Sequence, residues 1–237
     1  MSRRAEWAFV IASLVYALLY ARYEWGGAAG YVLGALPAAV TFVVSRSVTG
    51  ALVVFLIPMY FVIGQLTASR PHYQPYTWLD HAMPLWPAWI FVYATLYVCA
   101  FVVPILVVRG RPLIAQTLRG YLFVILVSYA IFWVYPTVAP RVDNPSANGI
   151  AERALQLFYD IDQPYGCFPS LHVAYSVVGA FACYRMHQTL GRGMLAWSVL
   201  IAVSTIYTKQ HFAVDAVAGG VLGIAGCAVF LRTGASR

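Results

Sequence analysis

Two histidines and an aspartate have the residue types and spacing of a catalytic group shared by neighbouring helices. His172 ends the sequence Pro169-Ser170-Leu171-His172. His211 lies 39 residues further along, and Asp215 is four residues beyond His211. Residues four apart are neighbours on a helix surface. The carboxylate is therefore expected to fix the tautomer of His211 and to stabilise its charged ring, as in nucleophile–base–orienter arrangements.

The stretch between the two histidines is expected to form a helical hairpin. It holds two apolar runs and a short turn at 188–192. A hairpin of that length returns the chain to the face it left, so both histidines are expected at one depth on one side. Lys209, the only lysine, and Arg141 add positive charge there, and Ser170 adds a hydroxyl. This set of groups suits phosphoryl transfer, in which charge stabilisation and positioning dominate.

The composition places these residues in a membrane. The 237 residues are 62% hydrophobic and 10% charged, against roughly 45–50% and about 25% in soluble domains. This excludes a soluble globular enzyme. The net charge of +7 is scattered between apolar runs rather than gathered in one patch, so no nucleic-acid partner is expected. The four cysteines have no paired spacing, which supports neither a disulfide framework nor a zinc cluster.

The apolar runs predict an all-α, polytopic membrane bundle of about eight transmembrane helices. Residues 1–47 are expected to form two N-terminal helices, and 48–237 a six-helix core with an outer loop at 136–169. Within that loop, 150–159 is expected to be an amphipathic helix lying in the interface as a lid. The predicted spans are 7–21, 27–45, 48–67, 85–108, 120–136, 170–187, 193–210 and 212–232.

Basic residues predict which side of the membrane each loop occupies. With eight spans, the side that holds both termini carries ten of the fifteen basic residues, which makes it cytoplasmic. The opposite side holds seven of the eight acidic residues and four of the five histidines. The candidate site is therefore expected on the outer face of a bacterial-type inner membrane.

Small residues predict how the helices that carry the site pack. Every fourth residue after Asp215 is small, and a similar face follows His172, so close packing of the two helices is expected. Aromatic residues such as Tyr93, Tyr97 and Trp133 are expected only to pack or to face lipid. The small positions are Gly219, Gly223 and Cys227 on one helix and Ser176, Gly179, Ala180 and Cys183 on the other.

A different class of function is a metal-binding transporter, with His172, His211 and Asp215 as a two-histidine, one-carboxylate ligand set. The spans contain no further acidic relay, and Arg141 and Lys209 flank the site. Both observations count against a cation pathway. Comparing metal content after chelation with activity separates the two classes.

The constellation resembles the type-2 phosphatidic acid phosphatase superfamily, which also contains the vanadium haloperoxidases. The family's Pro-Ser-Gly-His motif is matched by Pro169–His172 with leucine in place of glycine. Its Ser-Arg-(five residues)-His-(three residues)-Asp motif is matched by Ser204, His211 and Asp215, with Thr205 at the arginine position. Lys209 is expected to supply the missing charge from one turn further along.

The family's first motif, Lys-(six residues)-Arg-Pro, is absent in that form, and Pro136–Arg141 is expected to take its place. Residues 80–87, 168–172 and 208–211 are similar to the branch that includes inositol phosphorylceramide synthases. The resemblance covers roughly residues 48–232.

The resemblance implies roles for the site residues and a reaction. His211 would be the nucleophile that forms a phosphohistidine, Asp215 would orient it, and His172 would protonate the leaving alkoxide. Neither a metal nor another cofactor would be required. The substrate would be a membrane lipid phosphate that is hydrolysed or, as the alternative, transferred to an alcohol such as inositol; the oligomeric state stays open. The phosphate oxygens would be held by Arg141, Ser170 and Lys209.

Overall fold

The computed structural model describes residues 38–43, 46–142 and 148–231. Within these ranges the chain is helical, and two isolated β-bridges between loops are its only β-structure. The all-α fold is therefore confirmed. After a helical stretch at 38–43, the helices are α1 (Val48–Thr67), α2 (Trp78–Ala82), α3 (Pro87–Val107), α4 (Arg111–Val134), α5 (Ile150–Ile161), α6 (Leu171–Tyr184), α7 (Gln188–Tyr207) and α8 (Ala213–Phe230).

Five of these helices, α1, α3, α4, α7 and α8, are long and apolar enough to cross a membrane. They confirm a polytopic bundle over the described ranges. The predicted spans at 7–21 and 27–45 lie outside the described residues, apart from 38–43. The division of the chain at residue 47 stays a prediction.

Three of the predicted spans differ from the helices that form. α7 begins at Gln188 rather than at 193, so the predicted turn at 188–192 is wrong and the hairpin turns at 185–187 instead. α4 begins at Arg111 rather than near 120, because Gly110 takes a positive φ of 84° and Pro112 suits the first turn of a helix. α6 has only 14 residues, roughly 21 Å at 1.5 Å per residue, against about 30 Å of hydrocarbon. It is the shortest of the apolar helices in the described bundle.

α3 is irregular in the middle, where five residues, Val98–Val102, form a π-helical turn before Pro104. Pro104 has no N–H, so the carbonyl of Ala100 loses the donor that a regular helix would supply. The hydroxyl of Tyr121 on α4 donates to that carbonyl instead. The carbonyl that the kink leaves without a backbone donor is thus hydrogen-bonded by a side chain from the neighbouring helix.

α6 lies at the centre of the bundle and packs against α3, α4, α7 and α8. The predicted close packing with α8 is confirmed at Gly219 and Gly223, where an added Cβ would lie 2.3 Å from the Ser170 carbonyl oxygen and 2.9 Å from that of Ala174. Gly179, in contrast, faces the α3 carbonyls of Cys99 and Ala100. The small face of α6 is therefore shared between two neighbours.

α7 ends in a reversal that returns the chain toward α6. Gln210 N donates to Thr205 O and Lys209 N donates to Ile206 O, which is the hydrogen-bond pattern of a Schellman motif. Lys209 occupies the left-handed position, with φ 54°, that glycine usually takes. The helix therefore does not continue from Thr205 to Lys209, and the expectation that the two share a helical face is wrong.

The Lys209 ammonium binds the end of α2. It donates to the carbonyls of Asp80 (3.0 Å) and Met83 (2.6 Å). The Asp80 side chain, in turn, accepts from the backbone N–H of Ala213, the first residue of α8 (2.8 Å). Lys209 and Asp80 together attach α2 to the α7–α8 connection.

Replacing Gly219 should disturb the α6–α8 contact. We expect Gly219→Ala to lower the Tm of the purified protein in detergent, because overpacking a tight contact typically costs about 1–3 kcal/mol. Gly220→Ala is the matched control, since the closest atom to its Cβ would be Val173 Cγ1 at 4.0 Å. Equal Tm values for the two variants would contradict the close approach.

Lys209 should act on stability through its ammonium and its backbone separately. Lys209→Ala loses the ammonium and keeps the left-handed strain, whereas Lys209→Gly loses the ammonium but relieves roughly 1–2 kcal/mol of strain. We expect the Tm to fall from wild type to Lys209→Gly and further to Lys209→Ala. An unchanged Tm for Lys209→Ala together with a raised Tm for Lys209→Gly would show that the ammonium does not anchor α2.

Candidate active site

The structure brings His172, His211 and Asp215 into one chain of contacts. His172 lies in the first turn of α6, His211 in the α7–α8 connection and Asp215 in the first turn of α8. His172 Nδ1 and His211 Nε2 are 2.9 Å apart, and His211 Nδ1 lies 3.4 Å from Asp215 Oδ2. The hairpin prediction, with both histidines on one side, is confirmed.

Two hydrogen bonds from backbone N–H groups hold Asp215 in place in the first turn of α8. Its Oδ2 accepts from the backbone N–H of Phe212 (2.9 Å), and its carbonyl accepts from the backbone N–H of Ser170 (3.0 Å). The side chain is fully buried. Asp215 is thereby tied both to the loop that carries His211 and to the N-terminus of α6.

The tautomers of the two histidines follow from these contacts. When His211 carries its proton on Nδ1, toward Asp215, its Nε2 is an acceptor and His172 must donate from Nδ1. His172 Nε2 is then the acceptor that faces the hydroxyl of Tyr93 at 3.3 Å. One neutral arrangement thus satisfies the histidine pair and leaves the Nε2 lone pair on the predicted nucleophile.

Arg141 lies beside this chain, and all five of its N–H groups are bound to protein acceptors. Its Nε and Nη2 donate to Gln210 Oε1 (3.1 and 2.5 Å), and the rest donate to carbonyls. These carbonyls belong to Tyr159, Asp162 and Gln163. Arg141 therefore joins the end of α5 to the loop that carries His211, and its predicted contact with phosphate requires one of these bonds to be exchanged.

The loop that contains Arg141 is held by short backbone pairings. Val138 pairs with Tyr165, and Thr137 pairs with Tyr73. The Thr137 hydroxyl oxygen also accepts from the backbone N–H groups of Cys167 (2.9 Å) and Phe168 (3.0 Å). These contacts place Thr137 against residues 167–168, which directly precede the Pro169–His172 motif.

The other two residues predicted to hold phosphate occupy structural positions. The Ser170 hydroxyl oxygen caps α6 by accepting from the backbone N–H of Val173 at 3.4 Å. The Lys209 ammonium is bound to the end of α2. Ser170 therefore lies at the N-terminus of α6 next to His172. The Lys209 ammonium is held at the end of α2 and not at the histidine pair.

Asp162 is a site carboxylate that sequence reasoning missed. Its Oδ2 lies 3.9 Å from His172 Nε2, 3.9 Å from Arg141 Nη2 and 3.4 Å from the hydroxyl of Tyr93. Burial raises the pKa of Asp162, and the Arg141 guanidinium partly offsets that rise. The sequence offers a hint, since Asp162 is one of only eight acidic residues and lies ten residues before His172.

Tyr93 and Gln210 were missed for a different reason. Tyr93 belongs to an apolar run that predicts only packing, yet its side chain is fully buried with its hydroxyl beside His172. Gln210 precedes His211 and has the appearance of an ordinary turn residue. Among the described residues, its Nε2 has no hydrogen-bond partner although it is buried.

α5 covers the site, as expected of the amphipathic stretch in the loop. Leu155 is buried against α3, while Ile150 and Leu157 are 79% and 55% exposed. The Tyr159 hydroxyl donates to the carbonyl of Thr208 (2.7 Å), so the far end of α5 rests on the α7 reversal. An apolar exposed face is appropriate to a helix in the membrane interface.

Comparison with known proteins covers the part of the chain that holds this site. Residues 71–229, about two thirds of the chain, match the PAP2 superfamily. Comparisons with curated proteins and with solved structures give no significant match. The matched range includes every site residue described above. The chain belongs to the PAP2 superfamily, whose members are generally phosphatases.

Proposed function

We propose that this protein is an integral-membrane lipid-phosphate phosphatase that works through a phosphohistidine on His211. The observation that carries the proposal is the continuous chain from Asp215 through His211 to His172, at 3.4 and 2.9 Å, inside the matched range. A histidine with a buried carboxylate beside one nitrogen has what a nucleophile needs once the lone pair on the other nitrogen, which accepts from His172 in the resting pair, is released. Transfer to an alcohol acceptor is the alternative fate of the same phosphoenzyme.

The first step forms an N–P bond and breaks a P–O bond. His172 must first take up a proton, because the resting pair is neutral. His211 Nε2 then attacks the phosphorus, and the leaving alkoxide takes a proton from the His172 imidazolium. Water then attacks the phosphohistidine, His172 accepts a proton from that water, and His211 is released with inorganic phosphate. Since the two ring nitrogens are 2.9 Å apart before substrate binds, the phosphoryl group must enter between them and move His172 aside.

Asp162 and Tyr93 lie where they assist His172. The carboxylate of Asp162, 3.9 Å from His172 Nε2, stabilises the imidazolium that donates the proton. The hydroxyl of Tyr93 lies 3.4 Å from Asp162 Oδ2 and 3.3 Å from His172 Nε2, and it thereby fixes the orientation of the His172 ring. This second histidine–carboxylate pair parallels that of His211 and Asp215.

Phosphate binding would proceed by exchange at Arg141. Gln210 Oε1 is the only side-chain oxygen among the acceptors of its five N–H groups, and it takes two of them. Rotation of Gln210 would free one edge of the guanidinium for two phosphate oxygens, as in bidentate recognition. The N-terminus of α6 at Ser170 adds a favourable dipole.

The surroundings favour a lipid substrate. The site lies among apolar helices and beneath α5, with Trp78 at 78% and Ile150 at 79% exposure near its edge. Such exposed apolar side chains suit the membrane interface, where headgroups arrive laterally. We place this face outside, by the distribution of basic residues in the sequence.

Substitution of the two histidines should have different effects. We expect His211→Ala to abolish turnover of lipid phosphates, because the nucleophile is lost. His172→Ala should lower kcat/KM by about 10²–10⁴-fold for alkyl phosphates and less for p-nitrophenyl phosphate, whose leaving group needs no proton. Asp162→Asn should also lower kcat/KM more for alkyl phosphates than for p-nitrophenyl phosphate, but by a smaller factor than His172→Ala. Enzyme quenched in alkaline detergent should retain a phosphohistidine that is stable to base and lost in acid.

The matched control is His187→Ala, because His187 is exposed and lies at the N-terminal end of α7, opposite the end that leads to His211. It should keep wild-type kcat/KM. All assays are run with EDTA and with and without inositol or another alcohol, so that the products distinguish hydrolysis from transfer. An active His211→Ala enzyme, or a strict requirement for a divalent ion, would refute the mechanism.

The outer location of the site is tested by labelling in intact cells. On a cysteine-free background, Arg153→Cys in α5 should react with a membrane-impermeant maleimide, and Gln188→Cys at the start of α7 should not. Both positions are exposed, so accessibility within the fold is matched. Reaction of Gln188→Cys alone would place the site on the cytoplasmic face.

A further inference from the structure

Cys167 is a buried thiol next to the predicted nucleophile, and the proposed phosphoryl transfer does not use it. Its Sγ, a ring nitrogen of His211 and a carboxylate oxygen of Asp215 all lie within 4.8 Å of one another. Cys167 is 3% exposed, His211 4% and Asp215 0%. Thiolate, imidazole and carboxylate are the ligand types that zinc prefers.

Two atoms in this cluster lack partners. Within the described part of the chain, His211 Nδ1 and Asp215 Oδ1 are buried and have no hydrogen-bond partner. A buried polar atom without a partner is costly. Because His211 Nε2 is bound to His172, Nδ1 is the ring nitrogen left for a cation.

The loop holds the thiol in this position. The hydroxyl oxygen of Thr137 accepts from the backbone N–H groups of Cys167 and Phe168 at 2.9 and 3.0 Å. Thr137 is itself fully buried. The thiol makes one hydrogen bond of its own, to the Pro164 carbonyl at 3.3 Å. A thiolate bound to a metal would give up only that weak bond.

We propose that Cys167, His211 and Asp215 form an inhibitory site for a thiophilic divalent cation such as Zn²⁺. The cation binds Cys167 Sγ, His211 Nδ1 and Asp215 Oδ1, and a water completes the tetrahedron. Zinc bonds of about 2.0–2.3 Å place ligand atoms roughly 3.5 Å apart, so side-chain rotation must close the 4.8 Å spacing.

The cation displaces two protons, one from the thiol and one from Nδ1. With the metal on Nδ1, that nitrogen no longer carries the proton that faces Asp215 Oδ2 at 3.4 Å, and the positive charge withdraws electron density from Nε2. His211 then ceases to be a nucleophile. Inhibition of the phosphatase reaction rests on the proposed function, whereas metal binding is measured independently of activity.

The test uses the purified full chain with Co²⁺ as a spectroscopic probe and Zn²⁺ as inhibitor. We expect a thiolate-to-cobalt absorption band that Zn²⁺ abolishes. The band should be present in wild type and in the control Cys99→Ala, and absent in Cys167→Ala. Cys167→Ala should keep metal-free activity but need at least tenfold more Zn²⁺ for half inhibition, while Mg²⁺ should not inhibit either protein.

Each outcome is decisive. If wild type shows no thiolate band, or if Cys167→Ala is as sensitive to Zn²⁺ as wild type, the proposal is overturned. If the protein binds Co²⁺ through Cys167 but hydrolyses no lipid phosphate, the metal site stands and the proposed function fails. Cys167→Ser replaces Cys167→Ala where the alanine variant does not fold, with the same loss of the band expected.

Discussion

The N-termini of α6 and α8 are joined by a backbone hydrogen bond from Ser170 to the carbonyl of Asp215, and the candidate catalytic groups depend on this junction. Gly219 permits it, because a side chain at 219 would collide with the Ser170 carbonyl. Asp215 thereby binds α6 through its main chain while its carboxylate faces His211. The spacing between His172 and His211 is therefore set by main-chain geometry rather than by long, flexible side chains.

Sequence reasoning could predict this junction because its determinants are local. The four-residue spacing of His211 and Asp215 and the hairpin length from His172 depend only on helix geometry. The small residues after Asp215 predict close approach for the same reason. Lys209 could not be placed in this way, because the Schellman reversal has lysine where glycine normally marks the end of a helix. Without that glycine, a continuous helix was the simpler interpretation.

The remaining site groups depend on contacts that no local pattern encodes. Tyr93 and His172 are 79 residues apart, and Arg141 and Gln210 are 69 residues apart. The local sequence around each of these residues predicts an ordinary helix or loop, and it gives no indication of the distant partner. Asp162 is similar, since its role depends on how α5 ends against Arg141. The bundle as a whole was predictable from composition, whereas the surroundings of the histidines required the three-dimensional arrangement.

The short length of α6 helps to explain why the site is buried although its residues lie at the ends of helices. α6 and α7 form a hairpin, but α7 has 20 residues and α6 has 14, a difference of about 9 Å along parallel axes. The N-terminus of α6 therefore stops below the end of α7, and the Schellman reversal brings His211 back down to it. α5 closes the resulting recess through the bond of Tyr159 to Thr208. Beneath α5 the charges of Arg141 and Asp162 act with little screening by water, so under the proposed mechanism the reorganisation that substrate binding requires is the exchange at Gln210 and the displacement of His172.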